Sequence, residues 1–450
     1  MATFRTINPN CAGIDIGSET IFISIENQEV RSFSTFTDEL LKAIAYLKEH
    51  KITSVAMEAT GVYWVAFFEM LEAAGINVCL VNGKHVKNVP GRKSDVADCE
   101  WIRQLHSFGL LRPCFIPDDA IRCLRTYVRL RNDHISLASQ HIQHIQKALD
   151  LMNIRLHNVI TQIHGASGMR ILNAIVAGER SPERLADLCE TSILKTKRTL
   201  VLASLKGSFK KEHIFVLQQS IAGYKFYQQQ LFECDLQIQT LLEQFTGGKP
   251  LPSKINKPKS IRHNAPKVEE LHNKLMVLTQ GKDPSQITGL NDKTLLEIIS
   301  ETGLDLERSW KTKKHFTSWL ALSPTMHQTG KSNKRRKVKK HSTAGQIFRE
   351  AAMSIANSKH AALTAFYKRI CAKKGRLVAL KATARKIAEL YYNLMTKGID
   401  YVEHGIEIYQ QRLKEQQLKR LYKQARLLGL QLTPLPLGDV SSSCWLGCNG

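Results

Sequence analysis

Four acidic residues near the N terminus stand where carboxylates could bind metal ions. Asp15 lies inside a short apolar run, and Glu58 ends a second apolar run. Asp95 and Asp98 are three residues apart at the predicted start of a helix, so their side chains share one helix face. Carboxylate oxygens are the hard ligands that Mg²⁺ prefers, and the ion keeps places open for phosphate oxygens. The four acids therefore predict a metal-dependent nuclease-type site of the ribonuclease H kind.

Three of these acids also have an ordinary structural interpretation. Asp95 could cap the helix, Asp98 could be a solvated acid of its first turn, and Glu58 could lie in a loop. Asp15 favours the metal site, because an acid inside a central strand is costly to bury unless something pairs it. A basic chain that gathers acids at one place also favours a cation site on a polyanion-binding surface.

The segment that carries the acids alternates short apolar runs with amphipathic ones, from Cys11 to about Leu111. This alternation predicts an α/β domain with a mixed sheet, in which functional groups gather at the carboxyl ends of strands. The predicted strands are Ala12–Ile16, Ile21–Ile25, Ser54–Met57 and Ile76–Val81, and the predicted helices are Thr37–Glu49, Val62–Ala74 and Asp95–Phe108.

The chain as a whole is strongly basic. Its 450 residues include 64 Lys and Arg against 40 Asp and Glu, a net charge of +24. This excess favours nucleic acid as the partner, ahead of an anionic membrane surface. Hydrophobic residues make up 43% and charged residues 23%, which is typical of folded globular proteins and excludes a wholly disordered or fibrous chain.

Cysteine usage and the N terminus predict a protein of the reducing cytoplasm. Ten cysteines are too few for a disulfide scaffold, and no paired CxxC motif predicts a zinc site. The N terminus lacks the basic-then-apolar pattern of a signal peptide. The longest apolar run, from Val62 to Leu71, contains Glu69 and is too short to span a membrane.

Two long segments have helical apolar spacing, from Pro117 to about Asn153 and from about Lys211 to Phe245. Because a compact insert separates them, they predict an antiparallel coiled-coil arm, and an ordinary helical bundle fits the pattern equally well. Arg125, Arg129 and Arg131 on the first helix are individually typical of a solvated helix face, although as a set they would suit contacts with an RNA backbone.

Two further segments resemble each other, one beginning at Ile163 and the other at Ile287. Each places a glycine-containing turn before a predicted helix. Such a turn can present backbone N–H groups to a phosphate, or it can be a plain connection between two helices. Between the two segments, Gly247 to Lys267 is rich in Gly, Pro and Lys, and predicts a linker.

A mostly helical region is predicted from Arg308 to about Lys397, followed by a basic amphipathic helix from Tyr401 to Leu430 and a loose end. One basic segment interrupts this region. We expect it to bind nucleic acid, the alternative being a solvated loop that contacts nucleic acid only nonspecifically. Its cations are Lys331, Lys334, Arg335, Arg336, Lys337, Lys339 and Lys340.

Three short blocks that contain the acids resemble a known family. They are Gly13-Ile-Asp-Ile-Gly17, Glu58-Ala-Thr-Gly-Val-Tyr63 and Lys93-Ser-Asp-Val-Ala-Asp98. In this order they resemble the first three motif blocks of the DEDD transposases of bacterial insertion sequences, the bridge-RNA-guided recombinases. A looser resemblance continues over nearly the whole chain.

The resemblance implies an α/β plus α architecture with three parts, namely a RuvC-like (ribonuclease H-like) domain, a coiled-coil arm and a mostly helical transposase domain. The linker and the basic tail are predicted from composition. Applied to this chain, the domains are 1–115 RuvC-like, 116–246 arm with a compact helical insert, 247–283 linker, 284–400 transposase domain, and 401–450 basic helical tail with a loose C terminus.

The resemblance also implies roles for individual residues. The family's four acids fall on Asp15, Glu58, Asp95 and Asp98, which would bind Mg²⁺. The family's nucleophilic serine, which precedes a glycine, falls on Thr329. Threonine keeps the hydroxyl but adds a β-branch that stiffens its side chain. Ser332 is the nearest alternative hydroxyl, and an impaired copy of the element is a further alternative.

The function predicted is that of a DNA transposase that cleaves and rejoins DNA through a covalent phospho-protein intermediate. By the resemblance, its partners are double-stranded DNA at the element ends and target, a structured guide RNA, and further copies of the chain in a dimer or tetramer with a shared active site. We expect it in the bacterial cytoplasm at the nucleoid. The alternatives are a hydrolytic RuvC-like junction resolvase and a catalytically silent nucleic-acid scaffold.

Overall fold

The computed structural model describes two compact units, residues 1–116 and 117–450. Each unit is considered by itself. The described residues are 6–83, 95–252, 255–324, 326–329, 332–335, 342–356, 361–398, 411, 415, 418–419 and 421–432, with the backbone alone at 326–329, 332–335 and 361–362.

The first unit alternates strands and helices along its described residues. They are β1 (Cys11–Ile16), β2 (Thr20–Ile25), β3 (Arg31–Ser34), α1 (Thr37–Glu49), β4 (Ser54–Glu58), α2 (Trp64–Ala73), β5 (Asn77–Val81) and α3 (Asp95–Ser107).

The strands of the first unit form one mixed sheet in the order β3-β2-β1-β4-β5. Strand β1 is central, antiparallel to β2 and parallel to β4. The predicted α/β class and mixed sheet are therefore confirmed. Strand β3 was not predicted, because its sequence Arg-Ser-Phe-Ser is half-exposed at the sheet edge and lacks a regular apolar alternation.

The alternation of side chains along β1 explains how the sheet is covered. Ala12, Ile14 and Ile16 are buried in a core with apolar residues of α1 and α2, including Leu47 and Phe67. Residues of a strand alternate between the two faces of its sheet, so the intervening positions of β1 face the opposite side. Helix α3 packs on that side, where its buried Ile102 joins a smaller cluster with Ala56 and Val81.

The second unit is mainly helical over its described residues. Its elements are α4 (Asp119–Leu151), α5 (Ala166–Val176), α6 (Pro182–Ala186), α7 (Thr191–Ser204), α8 (Lys211–Thr246), α9 (Leu271–Leu278), α10 (Asp292–Thr302), α11 (Leu306–Ser309), α12 (Lys313–Trp319), β6 (Met326–Thr329), β7 (Ser332–Arg335), α13 (Thr343–Ala356), α14 (Ala361–Lys374) and α15 (Arg376–Lys397).

Helices α4 and α8 are the two predicted long helices, and they run antiparallel. Arg131 of α4 contacts Asp235 of α8, whereas His141, further along α4, packs against Gly223, earlier in α8. Helices α5 to α7 between them bury Leu172 and neighbouring apolar residues against both long helices. The long helices and the compact insert are confirmed, and the coiled-coil geometry remains a prediction.

The stretch between α8 and α9 is hydrogen-bonded to both long helices. The Arg131 guanidinium donates to the carbonyl of Asn264 at 3.2 Å, and the amide of Lys267 donates to Asp235 at 2.9 Å. Helix α9 follows at Leu271–Leu278. This stretch includes Gly247 to Lys267, for which the sequence predicted a linker.

The two look-alike segments both lead into helices, α5 and α10, but through different backbones. Gly165 before α5 is extended, with φ −75° and ψ 175°. Gly289 before α10 has φ 91°, and Asn291 then forms a capping box with Thr294. The ammonium of Lys259 donates to the carbonyls of Ile287 and Leu290 in the second turn. The sequence likeness therefore does not extend to the same local geometry.

Buried aromatic rings hold the helices around α12 together. Phe316 of α12 lies within 6.3 Å of the rings of Trp310, Phe348, Tyr391 and Tyr392, measured between ring centroids. Most of the predicted tail helix, from Tyr401 to Leu430, lies outside the described residues. No helix in the described part of the chain has both the length and the apolar character needed to cross a bilayer.

Candidate carboxylate site

Helix α3 lies in backbone contact with the central strand at Gly13. A Cβ atom on Gly13 would be 2.1 Å from the carbonyl oxygen of Cys99 and 2.4 Å from the backbone nitrogen of Arg103. Neither atom belongs to a flexible side chain that could swing away. Only glycine permits this approach, so Gly13 fixes how closely α3 sits on the sheet.

Polar side chains along the same face of α3 attach it to neighbouring strands. The Arg103 Nε donates to Ser24 Oγ on β2 at 3.2 Å. His106 Nε2 and Ser54 Oγ at the start of β4 are 2.7 Å apart. Burial lowers the pKa of His106, which favours the neutral imidazole at this contact. These contacts fix the position of α3 along the sheet as well as its distance from it.

Asp15 lies two residues beyond Gly13 on β1, on the face that α3 covers, and it is half-buried. The first turn of α3 carries Asp95 and Asp98. Burial, followed by the negative charges of Asp95, Asp98 and Glu58 in that order, raises the pKa of Asp15 to about 6. The fold therefore brings the four sequence-predicted acids into one electrostatic cluster.

Glu58 enters this cluster from the neighbouring strand. It is the last residue of β4, beside Val81 of β5, and so belongs to the sheet rather than to a loop. Its Oε1 would be 2.0 Å from a Cβ atom on Gly83, and Thr60 Oγ1 donates to it at 3.3 Å. The carboxylate is thus held at the carboxyl ends of β4 and β5, where α/β proteins place their sites.

The cluster has the donor chemistry that Mg²⁺ requires. All four side chains offer hard carboxylate oxygens, and Asp98 and Asp15 are only partly exposed. Among the described residues, no three His, Cys, Asp or Glu side chains already stand in a metal-binding arrangement. The four acids are thus related by charge, with Asp95, Asp98 and Glu58 all within electrostatic range of Asp15.

Two family models match the chain. A DEDD transposase model of the IS110 group matches residues 12–154, which include all four acids. A model described as "Transposase IS116/IS110/IS902 family" matches residues 285–368. The chain belongs to the IS110-type DEDD transposases. No curated protein matches it significantly.

The two remaining motifs of this transposase lie in the second unit. Thr329 ends β6, and the strand register pairs it with Ser332, the first residue of β7. The two candidate hydroxyl residues are therefore opposite each other in a two-stranded ribbon. In the basic segment, Lys334 and Arg335 belong to β7. The other cations, Lys331, Arg336, Lys337, Lys339 and Lys340, lie outside the described residues.

The prediction that three arginines of α4 contact RNA is wrong for Arg131 and is not supported for the other two. Arg131 is 4% exposed and pairs with Asp235 through Nε and Oδ1 at 2.5 Å. Arg125 donates to the carbonyls of Ser300 and Glu301, and Arg129 binds both carboxylate oxygens of Glu301. The α4 arginines therefore join helices within the protein.

The two units differ sharply in net charge. Residues 1–116 contain 11 Lys and Arg against 13 Asp and Glu, and residues 117–450 contain the remaining 53 against 27. The unit with the carboxylates is thus slightly acidic, and the basic excess of the transposase lies in the second unit. Sequence reasoning on the whole-chain charge did not find this, although counting by segment would have.

Proposed function

We propose that this transposase cleaves and rejoins DNA with Mg²⁺ bound by Asp15, Glu58, Asp95 and Asp98 in a RuvC-like domain. The single observation that carries the proposal is the position of Asp15. It lies on the central strand beneath α3, with a pKa raised to about 6 by burial and by the other three acids. Mutual repulsion of this kind is expected where a site is built to bind a cation.

Residues from two strands and one helix would together bind the cation. Asp15 supplies a carboxylate from the rigid centre of the sheet, Glu58 supplies one from β4, and α3 supplies Asp95 and Asp98. Bound Mg²⁺ would act as a Lewis acid on a DNA phosphate. Because Gly13 sets the distance between α3 and β1, it would also set the distance between the two acids of the sheet and the two acids of α3.

For the strand-transfer step, we propose that the hydroxyl of Thr329 is the nucleophile, as the family resemblance implies. Its oxygen would form a bond to phosphorus, its proton would pass to solvent, and one deoxyribose oxygen would leave as a hydroxyl. Rejoining would reverse these events with a DNA hydroxyl as the attacking group. The protein is linked to DNA only between the two steps, so no phosphodiester energy is lost to water.

We further propose that a structured RNA guides the reaction and that further copies of the chain share the active site. Both follow from the family resemblance. The excess of 53 Lys and Arg over 27 Asp and Glu in residues 117–450 supports a nucleic-acid interface in the second unit. Sequencing the RNA that copurifies with the protein tests guidance, since one discrete species supports it and a random mixture contradicts it.

The experiment that tests the covalent step uses the protein with its copurifying RNA and a plasmid that carries the element ends. After denaturation, we expect a protein–DNA adduct that maps to Thr329 by mass spectrometry. Thr329→Ala should lose the adduct, and Thr329→Ser should retain it because a primary hydroxyl is less hindered. An adduct on Ser332 would contradict the assignment of Thr329.

The same assay separates the alternative functions. A hydrolytic junction resolvase would cut the DNA without an adduct in any variant. A silent scaffold would produce neither cleavage nor an adduct. Ser332→Ala serves as the matched control, because it removes a hydroxyl at the position paired with Thr329.

A further inference from the structure

Helices α14 and α15 form a sharp helical corner in the second unit. One residue, Gly375 with φ 81°, joins the end of α14 to the start of α15. Residues 361–397, which span both helices, contain nine Lys and Arg and one acid, Glu389. The corner is therefore much more cationic than the chain average.

Six of these nine cations have no ion pair among the described residues, although one of the six, Arg369, lies over the Phe366 ring at 5.7 Å. Arg385 is paired, with its Nε 3.0 Å from Glu389 Oε1. We define the cationic corner as the six residues near Gly375 for which the described structure contains no ion pair. They are Lys368, Arg369, Lys373, Lys374, Arg376 and Lys381.

The arginines of α4 provide a contrast within the same unit. Arg125, Arg129 and Arg131 are all engaged by Glu301 or Asp235. Among the described residues, acids thus pair with the cations that join helices, and no acid forms an ion pair with the six cations of the corner. Lys373 and Lys374 in the last turn of α14 interact favourably with the negative end of the helix dipole. The cations of α15 near Gly375 lie at the N-terminal end of their helix, where the dipole does not favour positive charge.

A third helix adds to the positive charge at the corner. Burial lowers the pKa of Lys381, and the positive charge of Arg349 on α13 lowers it further. Two like charges on separate helices are thus held within electrostatic range. The Arg349 Nε donates to the neutral Gln346 side chain at 2.9 Å. A bound anion would relieve this repulsion.

Exposed apolar side chains accompany the cations. Leu377 is 83% exposed and Val378 is 36% exposed, and both follow Arg376 directly in the first turn of α15. Two apolar side chains among several cations do not form the wide apolar face of a membrane-surface helix. Beside a phosphate backbone, they could contact the apolar parts of the deoxyribose sugars.

We propose that the cationic corner binds the phosphate backbone of double-stranded DNA. The proposal rests on the proposed function for its choice of DNA as the polyanion. Five of the six cations lie beyond residue 368, where the second family match ends. The corner therefore adds a DNA-holding surface to the transposase that is separate in sequence from its acids, from Thr329 and from the basic segment at Lys331–Lys340.

The test measures binding rather than cleavage, in the full-length chain with Asp15→Asn, so that a failure of catalysis does not affect it. Lys373→Gln, Lys374→Gln, Arg376→Gln and Lys381→Gln are combined. Affinity for a 30-base-pair duplex is measured by fluorescence anisotropy over a range of salt. Loss of about four phosphate contacts should reduce the slope of log K against log salt by about 3.6, and should weaken binding about 100- to 1,000-fold near 0.15 M salt.

A matched control removes the same charge from the arm. Lys195, Lys206, Lys210 and Lys211 are exposed and have no ion pair among the described residues, so their change to Gln alters net charge equally. This control should keep the wild-type slope. A charge-retaining variant with Lys373→Arg, Lys374→Arg and Lys381→Arg should also keep it.

Three outcomes would overturn the proposal. Equal losses in the corner variant and in the arm control would mean that only net charge matters. An unchanged slope in the corner variant would mean that DNA does not contact the corner. A loss of affinity for a structured RNA hairpin without a loss for duplex DNA would assign the surface to RNA instead.

Discussion

Gly13 and Arg103 approach so closely that a methyl group on Gly13 would lie 2.4 Å from the Arg103 backbone nitrogen. This contact connects the central strand with the helix that carries two of the four acids. The motif Gly13-Ile-Asp-Ile-Gly17 thus has a physical explanation, because its first glycine admits α3 and its aspartate lies beside the first turn of α3.

We predict that Gly13→Ala separates α3 from β1. The added methyl group should destabilise the protein by about 2 to 3 kcal/mol, as overpacking does, and should weaken Mg²⁺ binding because Asp95 and Asp98 move away from Asp15. Denaturant unfolding and calorimetric titration with Mg²⁺ measure the two effects. Gly165→Ala is the milder comparison, since its Cβ would be 3.2 Å from the nearest atom, against 2.1 Å at Gly13. Wild-type Mg²⁺ affinity in Gly13→Ala would contradict the positioning role.

Removing the charge of Asp15 should stabilise the metal-free protein at neutral pH. The pKa of Asp15 in the folded state is about 6, above its value of 3.8 in model compounds. Between these two pH values, the folded state therefore keeps a proton on Asp15 that the unfolded state has lost. Stability therefore rises as the pH falls through 6, and ionised Asp15 is unfavourable above it. Asp15→Asn in EDTA should raise the Tm at pH 7.5 by about 2 °C or more, a shift that corresponds to roughly 1 kcal/mol.

The Tm difference between Asp15→Asn and wild type should depend on pH. It should shrink between pH 7.5 and pH 5, because protonation removes the same charge from the wild-type protein. Glu69→Gln, which neutralises an exposed acid on α2, should show no such change. A Tm difference between Asp15→Asn and wild type that is constant over this range would mean that burial and the neighbouring acids do not raise the pKa of Asp15.

Addition of Mg²⁺ should reverse the order of stability. At pH 7.5, bound Mg²⁺ stabilises the folded state of wild type in proportion to its occupancy, by about 2.7 kcal/mol at 100 times the Kd. Asp15→Asn should gain much less. Equal Tm shifts with Mg²⁺ in the two proteins would show that Asp15 does not bind the ion.

The buried pair Arg131–Asp235 should matter for stability and not for nucleic-acid binding. Asp235 is 2% exposed, so Asp235→Ala leaves a buried guanidinium without its carboxylate and should cost about 3 to 5 kcal/mol. The exposed pair Arg198–Asp187 is the control, where Asp187→Ala should cost about 1 kcal/mol or less. A combined change, Arg131→Met with Asp235→Leu, should recover most of the loss while RNA affinity stays unchanged.

The sequence predicts well those features that depend on local pattern. Helix α1 was predicted with its observed bounds, and the long helices α4 and α8 within two residues of theirs, because their apolar spacing and flanking residues are local properties. Asp15 and Glu58 were recognisable from their positions in or at the end of apolar runs.

Features that depend on tertiary contacts were not predictable in this way. Arg131 has the same local sequence context as an exposed arginine, and only the packing of α8 shows that it pairs with Asp235. The half-exposed edge strand β3 lacks a clear periodicity. The charge excess of the cationic corner can be counted along the chain, whereas the turn at Gly375 that divides it between two helices is seen only in the structure.

The central claim is that strand cleavage requires four carboxylates that bind Mg²⁺. DNA cleavage by single variants tests this claim most directly. Asp15→Asn, Glu58→Gln, Asp95→Asn and Asp98→Asn are compared with wild type and with Glu69→Gln on a plasmid that carries the element ends, in Mg²⁺. We predict that each of the four loses at least about 1,000-fold in cleavage rate, the equivalent of about 4 kcal/mol, while DNA affinity and folding are retained. Cleavage at near wild-type rates in any two of the four would contradict the account.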